Sequence, residues 1–369
     1  MRILVLGGYG LFGGRIARTL AADGDKQVLV AGRDAAQAQA FIDASGVGRE
    51  RMRALALDAG AADLATKLAR TGADLLVHSA GPFQGQDYAV ARAALRAGLH
   101  YVDLADARGF VEGFDALDAA ARAAQRLAIT GASSVPGASA AAVRALLPRF
   151  SRLDAVETAI FPGNRTPRGL ATTRAILSYA GKPYRALIGG RWRNVHGWQS
   201  LRRMRIKNLG VRWLARFEAP DLGVLPARYP TLRTCDTRTG LELHRMHFGL
   251  WLSSWLVRAR LLPGLLPFAK ILFDISNRWI DAGSDAGGIR VELRGLDPAG
   301  EPLALHWTAL LRDGHGPQFP CTAAIVLARK LARGELPGSG AQACLDLFTL
   351  DEFVDALADF GIETSVRAS

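Results

Sequence analysis

Three glycines near the start of the chain have the spacing of a loop that binds a dinucleotide. The segment Gly8-Tyr9-Gly10-Leu11-Phe12-Gly13 matches the pattern G-x-G-x-x-G and directly follows an apolar run at residues 3–6. In such loops the first glycine permits a tight turn, the second lets backbone approach a pyrophosphate, and the third lets helix and strand pack closely. The helix that follows offers free N–H groups and a partial positive charge to the phosphates. We therefore predict a dinucleotide site here; the alternative is a glycine-rich turn without a ligand.

The residue types after the second predicted strand favour NADP over NAD. NAD-binding proteins usually carry Asp or Glu there, about 20 residues after the glycine loop, to bind the ribose hydroxyls. This chain has Gly32, Arg33 and Asp34 instead. Gly32 leaves the space of an acidic side chain empty, and the Arg33 guanidinium can form a bidentate contact with a 2′-phosphate. Asp34 is better explained as the N-cap of the next helix.

Further candidates follow the third, fourth and fifth predicted strands, at the edge where open α/β sheets bind ligands. We include in the cofactor set Asp58 and the segment Ser79-Ala80-Gly81-Pro82-Phe83. That segment would bring a rigid backbone edge to the nicotinamide ribose, or it is a simple turn from strand to helix. Tyr101 and Asp103 could position a substrate amine or relay a proton. The alternative for Asp103 is a buried carboxylate bonded to nearby backbone.

The second half offers weaker catalytic candidates. Tyr179 and Lys182 close a predicted helix, and such a pair can donate a proton to a developing oxyanion or amine; the alternative is a cation that complements the helix dipole. His315, between two glycines, could act as an acid or base near neutral pH, or be a structural loop histidine. His244 and His247 are three positions apart, but no carboxylate or cysteine completes a metal set, so we expect no metal.

These candidate residues can lie close together only if a sheet brings several strand ends to one edge. The first half of the sequence predicts such a sheet. Six apolar runs alternate with helical stretches, and parallel neighbours need such crossover connections. The pattern therefore predicts an α/β fold with a doubly wound parallel sheet of the Rossmann type. The predicted strands are residues 3–6, 27–31, 54–57, 75–78, 101–104 and 127–130, and the predicted helices are 12–22, 34–44, 62–71, 87–97 and 112–125.

The second half predicts an α+β domain on a mostly antiparallel sheet. A strand at 156–161 and a helix at 170–179 precede a hairpin of residues 289–293 and 303–311, joined by the turn at 297–300. Amphipathic helices follow at 321–333 and 350–358. We predict a Rossmann NADP-binding domain at 1–150 and an α+β substrate and dimerisation domain at 151–315. The C-terminal helices, at 316–369, could pack back on the first domain.

Composition limits the class of protein. Of the 369 residues, 49% are hydrophobic and 22% charged, which excludes disordered, collagen-like and disulfide-stapled chains. The three cysteines, Cys235, Cys321 and Cys344, are too few and too scattered for a disulfide framework. We interpret them as reduced thiols in the cytoplasm. Met1 and Arg2 lead straight into a strand, so we expect no signal peptide.

Charge and hydropathy single out two segments of the second half. Residues 158–217 hold thirteen Lys or Arg and no Asp or Glu, within a net charge of +12. This run predicts affinity for an anion: a phosphate, a carboxylate or a membrane headgroup. Nucleic acid is not expected, because no nucleic-acid motif accompanies the run. Residues 248–273 are strongly apolar but interrupted by charges and prolines. They predict core or a dimer interface; the alternative is a hydrophobic pocket or a membrane-facing cover, without a transmembrane span.

The order of several motifs resembles the saccharopine dehydrogenase-like oxidoreductases. The glycine loop, Ala31-Gly32-Arg33, the segment at 79–83 and Tyr101-Val102-Asp103-Leu104 carry the resemblance over the first half. More loosely, it extends to residues 178–183 and 314–317. The resemblance implies a Rossmann domain followed by a catalytic and dimerising α+β domain. It also implies hydride transfer to or from carbon–nitrogen bonds of amino-acid-like substrates.

The sequence is consistent with two functional hypotheses. The first is an NADP-dependent oxidoreductase that transfers hydride between nicotinamide and a C=N or C=O carbon in a cleft between domains. It would act as a cytoplasmic homodimer, and its substrate would be an unidentified small molecule, anionic or hydrophobic. The second is a non-catalytic NADP-binding protein that docks on lipid or a protein partner, peripheral to the membrane. Binding of a cofactor usually implies chemistry but does not prove it.

Overall fold

The computed structural model describes residues 1–368, which fall into two units. The first unit contains Met1–Ala138 and Gln318–Phe348. The second contains Ser139–Pro317 and the described residues from Thr349 onward. Each unit is therefore assembled from two separate stretches of chain.

The first unit is built on seven parallel strands. In chain order these are β1 (Arg2–Leu6), β2 (Gln27–Gly32), β3 (Met52–Ala56), β4 (Leu75–His78), β5 (His100–Asp103), β6 (Leu127–Thr130) and, late in the chain, β15 (Gly340–Ala343). Their order across the sheet is β3-β2-β1-β4-β5-β6-β15. The consecutive residues Ile3 and Leu4 are both fully buried, which requires cover on both faces. Leu6 lies in register with His78, and His78 with Asp103, so three strands end at one edge.

Short helices connect these strands. They are α1 (Gly13–Ala22), α2 (Ala35–Asp43), α3 (Leu64–Arg70), α4 (Ala89–Arg96), α5 (Arg108–Glu112), α6 (Asp118–Ala123) and, late in the chain, α12 (Phe319–Ala332). The late helix α12 packs against α1. Arg329 on α12 forms a bidentate ion pair with Asp23, at 2.7 and 2.9 Å. This pair joins the two stretches of chain that make up the unit.

One helix and one strand of this unit differ from the prediction. The single helix predicted over 112–125 is interrupted: α5 ends at Glu112, a turn covers Phe114–Leu117, and α6 follows. Gly113 ends the first helix, and the turn inserts Phe114 and Leu117 into the core. The seventh strand, β15, was not predicted. Its sequence, Gly-Ala-Gln-Ala, has no β-branched or large apolar residue.

The second unit is built on a nine-stranded, mostly antiparallel sheet. Its strands are β7 (Arg152–Phe161), β8 (Pro183–Ile188), β9 (Arg191–His196), β10 (Arg202–Ile206), β11 (Gly210–Arg216), β12 (Thr234–Thr239), β13 (Gly287–Leu296), β14 (Pro302–Leu311) and β16 (Glu363–Ala368). The main order is β10-β11-β12-β7-β13-β14-β16, and β8 pairs with β12 and β9. The pairing of β12 with β7 is parallel. The predicted hairpin is β13–β14, and the predicted fold class is confirmed for both units.

Six helices accompany this sheet. They are α7 (Ser139–Leu146), α8 (Leu170–Tyr179), α9 (Asp221–Arg228), α10 (His244–Arg258), α11 (Ala269–Asn277) and α13 (Leu350–Asp355). Helix α7 packs on β13 and α9 on β12. Ile289, Val291 and Leu293 alternate with polar residues along β13 and are almost completely buried. Among residues 1–368, no helix is both long and apolar enough to cross a bilayer.

The acid-free basic run is partly neutralised by other parts of the second unit. Three of its arginines pair with acidic side chains from outside the run: Arg202 with Glu157 (2.5 Å), Arg212 with Glu242 (2.8 Å) and Arg216 with Asp236 (3.1 Å). The run therefore supplies part of the internal ion pairing of the sheet as well as surface charge.

Candidate functional site

Close packing leaves no room for a side chain at the third glycine of the loop, Gly13. Gly7, with a φ of +81°, begins the turn after β1, and the N–H groups of Gly7 and Gly8 both donate to the Ala31 carbonyl (2.8 and 3.0 Å). A Cβ on Gly13 would lie 2.2 Å from the Gly7 carbonyl oxygen and 2.4 Å from Ser79 Oγ. The start of α1 is thus pressed onto the ends of β1 and β4, which is the packing that a dinucleotide-binding loop requires.

Backbone donors are available at the end of this loop. Gly10 is exposed, and its N–H donates to the Gly7 carbonyl (2.9 Å). Within the described residues, the N–H groups of Leu11 and Phe12 have no acceptor, and no side chain caps α1. Free N–H groups at a helix N-terminus attract anions. The loop therefore fits a pyrophosphate.

The region beside the end of β2 governs the choice of cofactor. Contrary to the prediction, the space beside Gly32 is not empty but filled by the Tyr9 ring: a Cβ there would be 2.3 Å from ring carbon Cε1, so an acidic side chain has no room. The Asp34 N–H donates to the Tyr9 hydroxyl (3.3 Å), and the Asp34 carboxylate accepts two first-turn N–H groups of α2. The predicted N-cap is confirmed. Arg33 is exposed and has no polar partner among residues 1–368.

Replacement of Arg33 is expected to reverse the choice of cofactor. In the Arg33→Asp variant, NADPH should bind about 100-fold more weakly, because a charge-assisted contact is replaced by repulsion of the 2′-phosphate. The affinity for NADH should change by less than about threefold. Fluorescence titration of both nucleotides measures this, with Arg96→Asp on α4 as the matched control. Equal loss of NADPH binding in both variants would refute the role of Arg33.

The segment at 79–83 forms a braced loop after β4. Ser79 Oγ donates to the Leu6 carbonyl (2.8 Å), which ties the ends of β4 and β1 together. Gln86 Nε2 donates to the carbonyls of Ala80 (3.0 Å) and Pro82 (2.7 Å). Gly81 is exposed at the tip. Backbone is therefore held in place beside the glycine loop.

Phe83 and Asp58, the remaining members of the predicted cofactor set, lie in different surroundings. Phe83 is buried and packs edge-on against His78, with ring centroids 5.0 Å apart. Asp58 follows β3, is exposed, and its Oδ1 accepts the Gly60 N–H (3.1 Å). Phe83 thus holds the 79–83 loop against the side chain of His78, while Asp58 is exposed to solvent.

Three buried polar side chains lie beneath the 79–83 loop. His78 Nδ1 is 2.9 Å from the Tyr101 hydroxyl. Asp103 Oδ1 accepts from Thr130 Oγ1 (2.9 Å) and from the Gly131 N–H (2.8 Å), so it also fixes the end of β6. Asp103 Oδ2 has no hydrogen-bond partner within the described chain. All three side chains are at most 1% exposed. The buried polar group thus contains His78 in addition to the two predicted residues, Tyr101 and Asp103.

Burial shifts the pKa of each of these groups toward its neutral form. It lowers the pKa of His78 to about 4 and raises that of Tyr101 well above its usual 10, with a further contribution from the Asp103 carboxyl. Burial also raises the pKa of Asp103 to about 6, although its hydrogen bonds oppose the change. At neutral pH His78 and Tyr101 are therefore uncharged, and Asp103 is mostly ionised. Sequence reasoning missed His78; the signal was a lone histidine that ends an otherwise apolar strand.

The three candidates of the second half lie in the second unit. Tyr179 ends α8, is buried, and packs against Phe217. The Lys182 N–H donates to the Tyr179 carbonyl (3.0 Å), and the Lys182 side chain is half-buried. His315 Nδ1 bonds to the Phe360 carbonyl (3.1 Å), and the two rings are in contact. Tyr179 and Lys182 are thus neighbours, whereas His315 braces the segment before β16.

The histidines of α10 do not form part of a metal site in the described residues. His247 is fully buried, its ring packs against Trp198, and burial lowers its pKa to about 4. No group of three or more His, Cys, Asp or Glu side chains in residues 1–368 has the arrangement of a metal site. His247 is a core residue of the second unit.

Asp221 is a buried carboxyl that sequence reasoning did not identify. It starts α9, is fully buried, and accepts hydrogen bonds from Ser139 Oγ (3.0 Å) and Thr158 Oγ1 (2.9 Å). Burial raises its pKa to about 6. Its hydrogen bonds therefore link α9 to α7 and β7. The raised pKa means that this carboxyl is protonated more easily than an ordinary aspartate.

Asp221 should be detectable as a protonated carboxyl in mild acid. At about pH 5 the native protein is expected to show the infrared carbonyl band of buried COOH groups, and this band should fade by about pH 7. Asp103, Asp221 and Glu157, whose pKa burial also raises, should each contribute, so Asp221→Asn should remove part of the band. An unchanged band in that variant would show that Asp221 is already ionised at the lower pH.

The comparisons with known proteins agree with this geometry. Residues 3–130 match the family model of the saccharopine dehydrogenase NADP binding domain. No curated protein matches the sequence of the chain. The first unit therefore belongs to the family of saccharopine dehydrogenase NADP-binding domains, and the resemblance inferred from the sequence motifs is confirmed.

Solved structures resemble the chain over nearly its whole length. Apo saccharopine dehydrogenase (L-Glu forming) from Saccharomyces cerevisiae is 16% identical, with a TM-score of 0.71, and covers 100% of this chain and 99% of its own. An amine dehydrogenase from Mycobacterium smegmatis is 12% identical, with a TM-score of 0.48 and 95% of each chain covered. Biliverdin reductase from Synechocystis, in complex with biliverdin and NADP⁺, is 15% identical, with a TM-score of 0.41, and covers 97% of this chain and 96% of its own. The first of these extends the likeness in fold to the second unit.

The domain family and the site together define the class of protein. Residues 3–130 form an NADP-binding domain of the saccharopine dehydrogenase type. Its glycine loop, free N–H groups and exposed Arg33 are the features expected of that cofactor.

Proposed function

We propose that the chain catalyses NADP-dependent hydride transfer to or from the carbon of a C=N or C=O group in a small molecule. The observation that carries the proposal is the contact between the glycine loop and the 79–83 loop, where Ser79 Oγ fills the space beside Gly13. In open α/β sheets, a dinucleotide binds outside the carboxyl ends of the strands where the strand order reverses, here between β1 and β4.

Each part of the cofactor has a proposed place in the first unit. The N–H groups of Leu11 and Phe12 would hold the pyrophosphate, and Arg33 the 2′-phosphate. The 79–83 loop would lie along the nicotinamide ribose. When bound, NADPH supplies a hydride from nicotinamide C4. In the direction of reduction, hydride adds to the substrate carbon, and a proton from the protein or solvent adds to nitrogen or oxygen.

We infer that Tyr101 and Asp103, with His78, act as positioning residues. Their complete burial supports this role, because they have no surface with which to touch a substrate. Phe83 packs on His78, and His78 is hydrogen-bonded to Tyr101, so these two polar side chains support the 79–83 loop, while Asp103 holds the ends of β5 and β6 together. A shift of this support would displace the backbone expected to contact the nicotinamide, and small displacements of bound groups cost large factors in rate.

We propose a side chain of the protein as the proton donor. Lys182, Tyr179 and His315 are the candidates, and the partial exposure of Lys182 and His315 supports their access to a ligand. The variants Lys182→Met, Tyr179→Phe and His315→Asn separate them. Loss of the donor should lower kcat with little change in NADPH affinity, typically by 10²–10⁴-fold.

The proposed activity is tested by following NADPH oxidation with a panel of substrates. The panel contains imines formed from amino acids and 2-oxo acids or aldehydes, with simple ketones as the comparison. NADPH deuterated at the transferring C4 position should deliver its label to the product carbon, which mass spectrometry detects. If NADPH binds but no label is transferred to any member of either class, the protein is instead a non-catalytic NADP-binding protein.

We also propose that the chain acts as a cytoplasmic homodimer, in which the second unit supplies the substrate site and the dimer interface. The resemblance to the family supports this proposal, because it implies a catalytic and dimerising second domain. Sedimentation equilibrium of the purified protein measures the oligomeric state. A monomer at all accessible concentrations would refute the dimer.

A further inference from the structure

Large apolar side chains are concentrated on one exposed helical hairpin of the second unit. Eight of the thirteen exposed large hydrophobic residues fall between residues 252 and 279, and Leu261, Leu252 and Ile271 are 72%, 59% and 59% exposed. Arg245 at the start of α10 lies over the ring of Trp279, just after α11, at 3.6 Å. The beginning of α10 is therefore beside the end of α11, and the exposed residues belong to one hairpin. An apolar concentration of this size is uncommon on a monomer in water.

Apart from Val257, the buried residues of the two helices are small or polar, and several large apolar residues are exposed. On α10 the buried residues include His247 and Ser254, both 0% exposed, and on α11 they are Ala269 and Ser276. A Cβ on Gly181 would lie 2.3 Å from the Ser254 carbonyl oxygen, so backbone approaches α10 closely on this side. A surface helix in water shows the opposite distribution. The pattern indicates that the exposed face is covered by apolar material.

The charges around this face favour lipid over a second copy of the chain. Residues 243–279 contain five Lys or Arg and one acidic residue, Asp274, which pairs with Lys270 (2.9 Å). In a twofold interface the patch would face itself, and Arg258 and Arg260 would meet like charges, since the one acidic residue, Asp274, already pairs with Lys270. Anionic headgroups would instead complement these cations, while tryptophans such as Trp255 suit the boundary between headgroups and acyl chains. Arg258 already lies over the Trp255 ring, at 4.9 Å.

We propose that α10 and α11 dock the protein on a lipid surface that carries anionic headgroups. Neither helix is long enough to span a bilayer, so the hairpin lies in the interface with its apolar side toward the acyl chains. The proposal concerns the second unit and is independent of the chemistry proposed for the nucleotide site.

Vesicle co-sedimentation tests this surface. The full chain should bind phosphatidylcholine vesicles that contain phosphatidylglycerol, and binding should weaken when phosphatidylglycerol is omitted or salt is raised. The double variant Leu261→Asp/Ile271→Asp should bind at least about tenfold more weakly, because two apolar contacts are lost and two acidic charges are added. Val47→Asp is the matched control, since Val47 is 78% exposed but lies in the first unit.

Each variant is also titrated with NADPH, which reports on folding and on the nucleotide site separately from lipid. Unchanged NADPH affinity with lost vesicle binding supports the proposal even if no substrate is ever found. Absence of native binding to anionic vesicles, or equal binding by the double variant, would overturn it. So would a dimer that the double variant dissociates while no vesicle binding occurs, which would assign the hairpin to a protein interface.

Discussion

Gly13→Ala is expected to abolish measurable NADPH binding, a loss of at least about 1,000-fold in affinity. The added methyl carbon would lie 2.2 Å from the Gly7 carbonyl oxygen and 2.4 Å from Ser79 Oγ. Neither neighbour can yield easily, because Gly7 is fixed by its hydrogen bond to Ala31, and Ser79 by its bonds to Leu6. Helix α1 must therefore move away from β1 and β4, which separates its free N–H groups from the 79–83 loop, which we propose to lie along the nicotinamide ribose.

The measurement for Gly13→Ala is equilibrium binding of NADPH, with Gly109→Ala as the control. Gly109 lies in α5, and a Cβ there would meet no atom within 4 Å. The control should bind NADPH as the native protein does. Because Gly13→Ala could also lower the free energy of unfolding, circular dichroism must show that the variant is folded at the temperature of the titration. Native affinity in a folded Gly13→Ala protein would contradict the assignment of the loop.

Asp103→Asn is expected to remove a pH-dependent contribution to stability of about 3 kcal/mol. Burial raises the folded-state pKa of Asp103 from 3.8 to about 6. The protonated form is therefore favoured by folding, so this contribution is fully present below about pH 4 and is lost as the pH rises through about 6. The asparagine variant cannot titrate, and its amide oxygen can still accept the hydrogen bonds at Thr130 and Gly131.

The pH dependence is isolated by subtracting two stability curves. The free energy of unfolding is measured by urea denaturation of the native protein and of Asp103→Asn between about pH 4 and pH 7. The opposite contribution of His78, whose lowered pKa favours the native state as the pH rises, is common to both proteins and cancels. Asp351→Asn, at an exposed position, is the control. A flat difference curve would show that Asp103 is already ionised throughout this range.

Asp103→Ala should behave differently from Asp103→Asn. Alanine leaves the Ala105 and Gly131 N–H groups and the Thr130 hydroxyl without their acceptor. Unsatisfied buried donors cost about 1–3 kcal/mol each, so this variant should lose at least about 3 kcal/mol at every pH. If both variants also lower kcat while the NADPH affinity is kept, the positioning role of the group gains support.

The first unit was largely predictable because its signals are local. Buried parallel strands such as residues 3–6 are continuous apolar runs, and the glycine spacing after them follows from backbone geometry alone. The N-cap at Asp34 is likewise a local matter of two hydrogen bonds. Strand β15 was missed because its four small residues have no pattern of their own. It is a strand only because the edge of β6 is available to pair with it.

The interior of the site was less predictable because it depends on contacts between distant residues. His78 was not singled out, since its importance comes from burial beneath Phe83 and contact with Tyr101, 23 positions away. Asp221 was missed for the same reason, because its partners Ser139 and Thr158 precede it by 82 and 63 residues. The apolar stretch around α10 was noticed in the sequence, but composition alone does not tell which side of a helix is exposed.

The central claim, that the first unit binds NADP in its glycine loop with the 2′-phosphate on Arg33, is tested most directly by calorimetric titration. The native protein, freed of nucleotide, is titrated with NADPH and with NADH under identical conditions. The account predicts one NADPH per chain and an affinity at least about tenfold higher than for NADH. Equal affinities would contradict the assignment of Arg33, and no heat from either nucleotide in a folded sample would contradict the cofactor site itself.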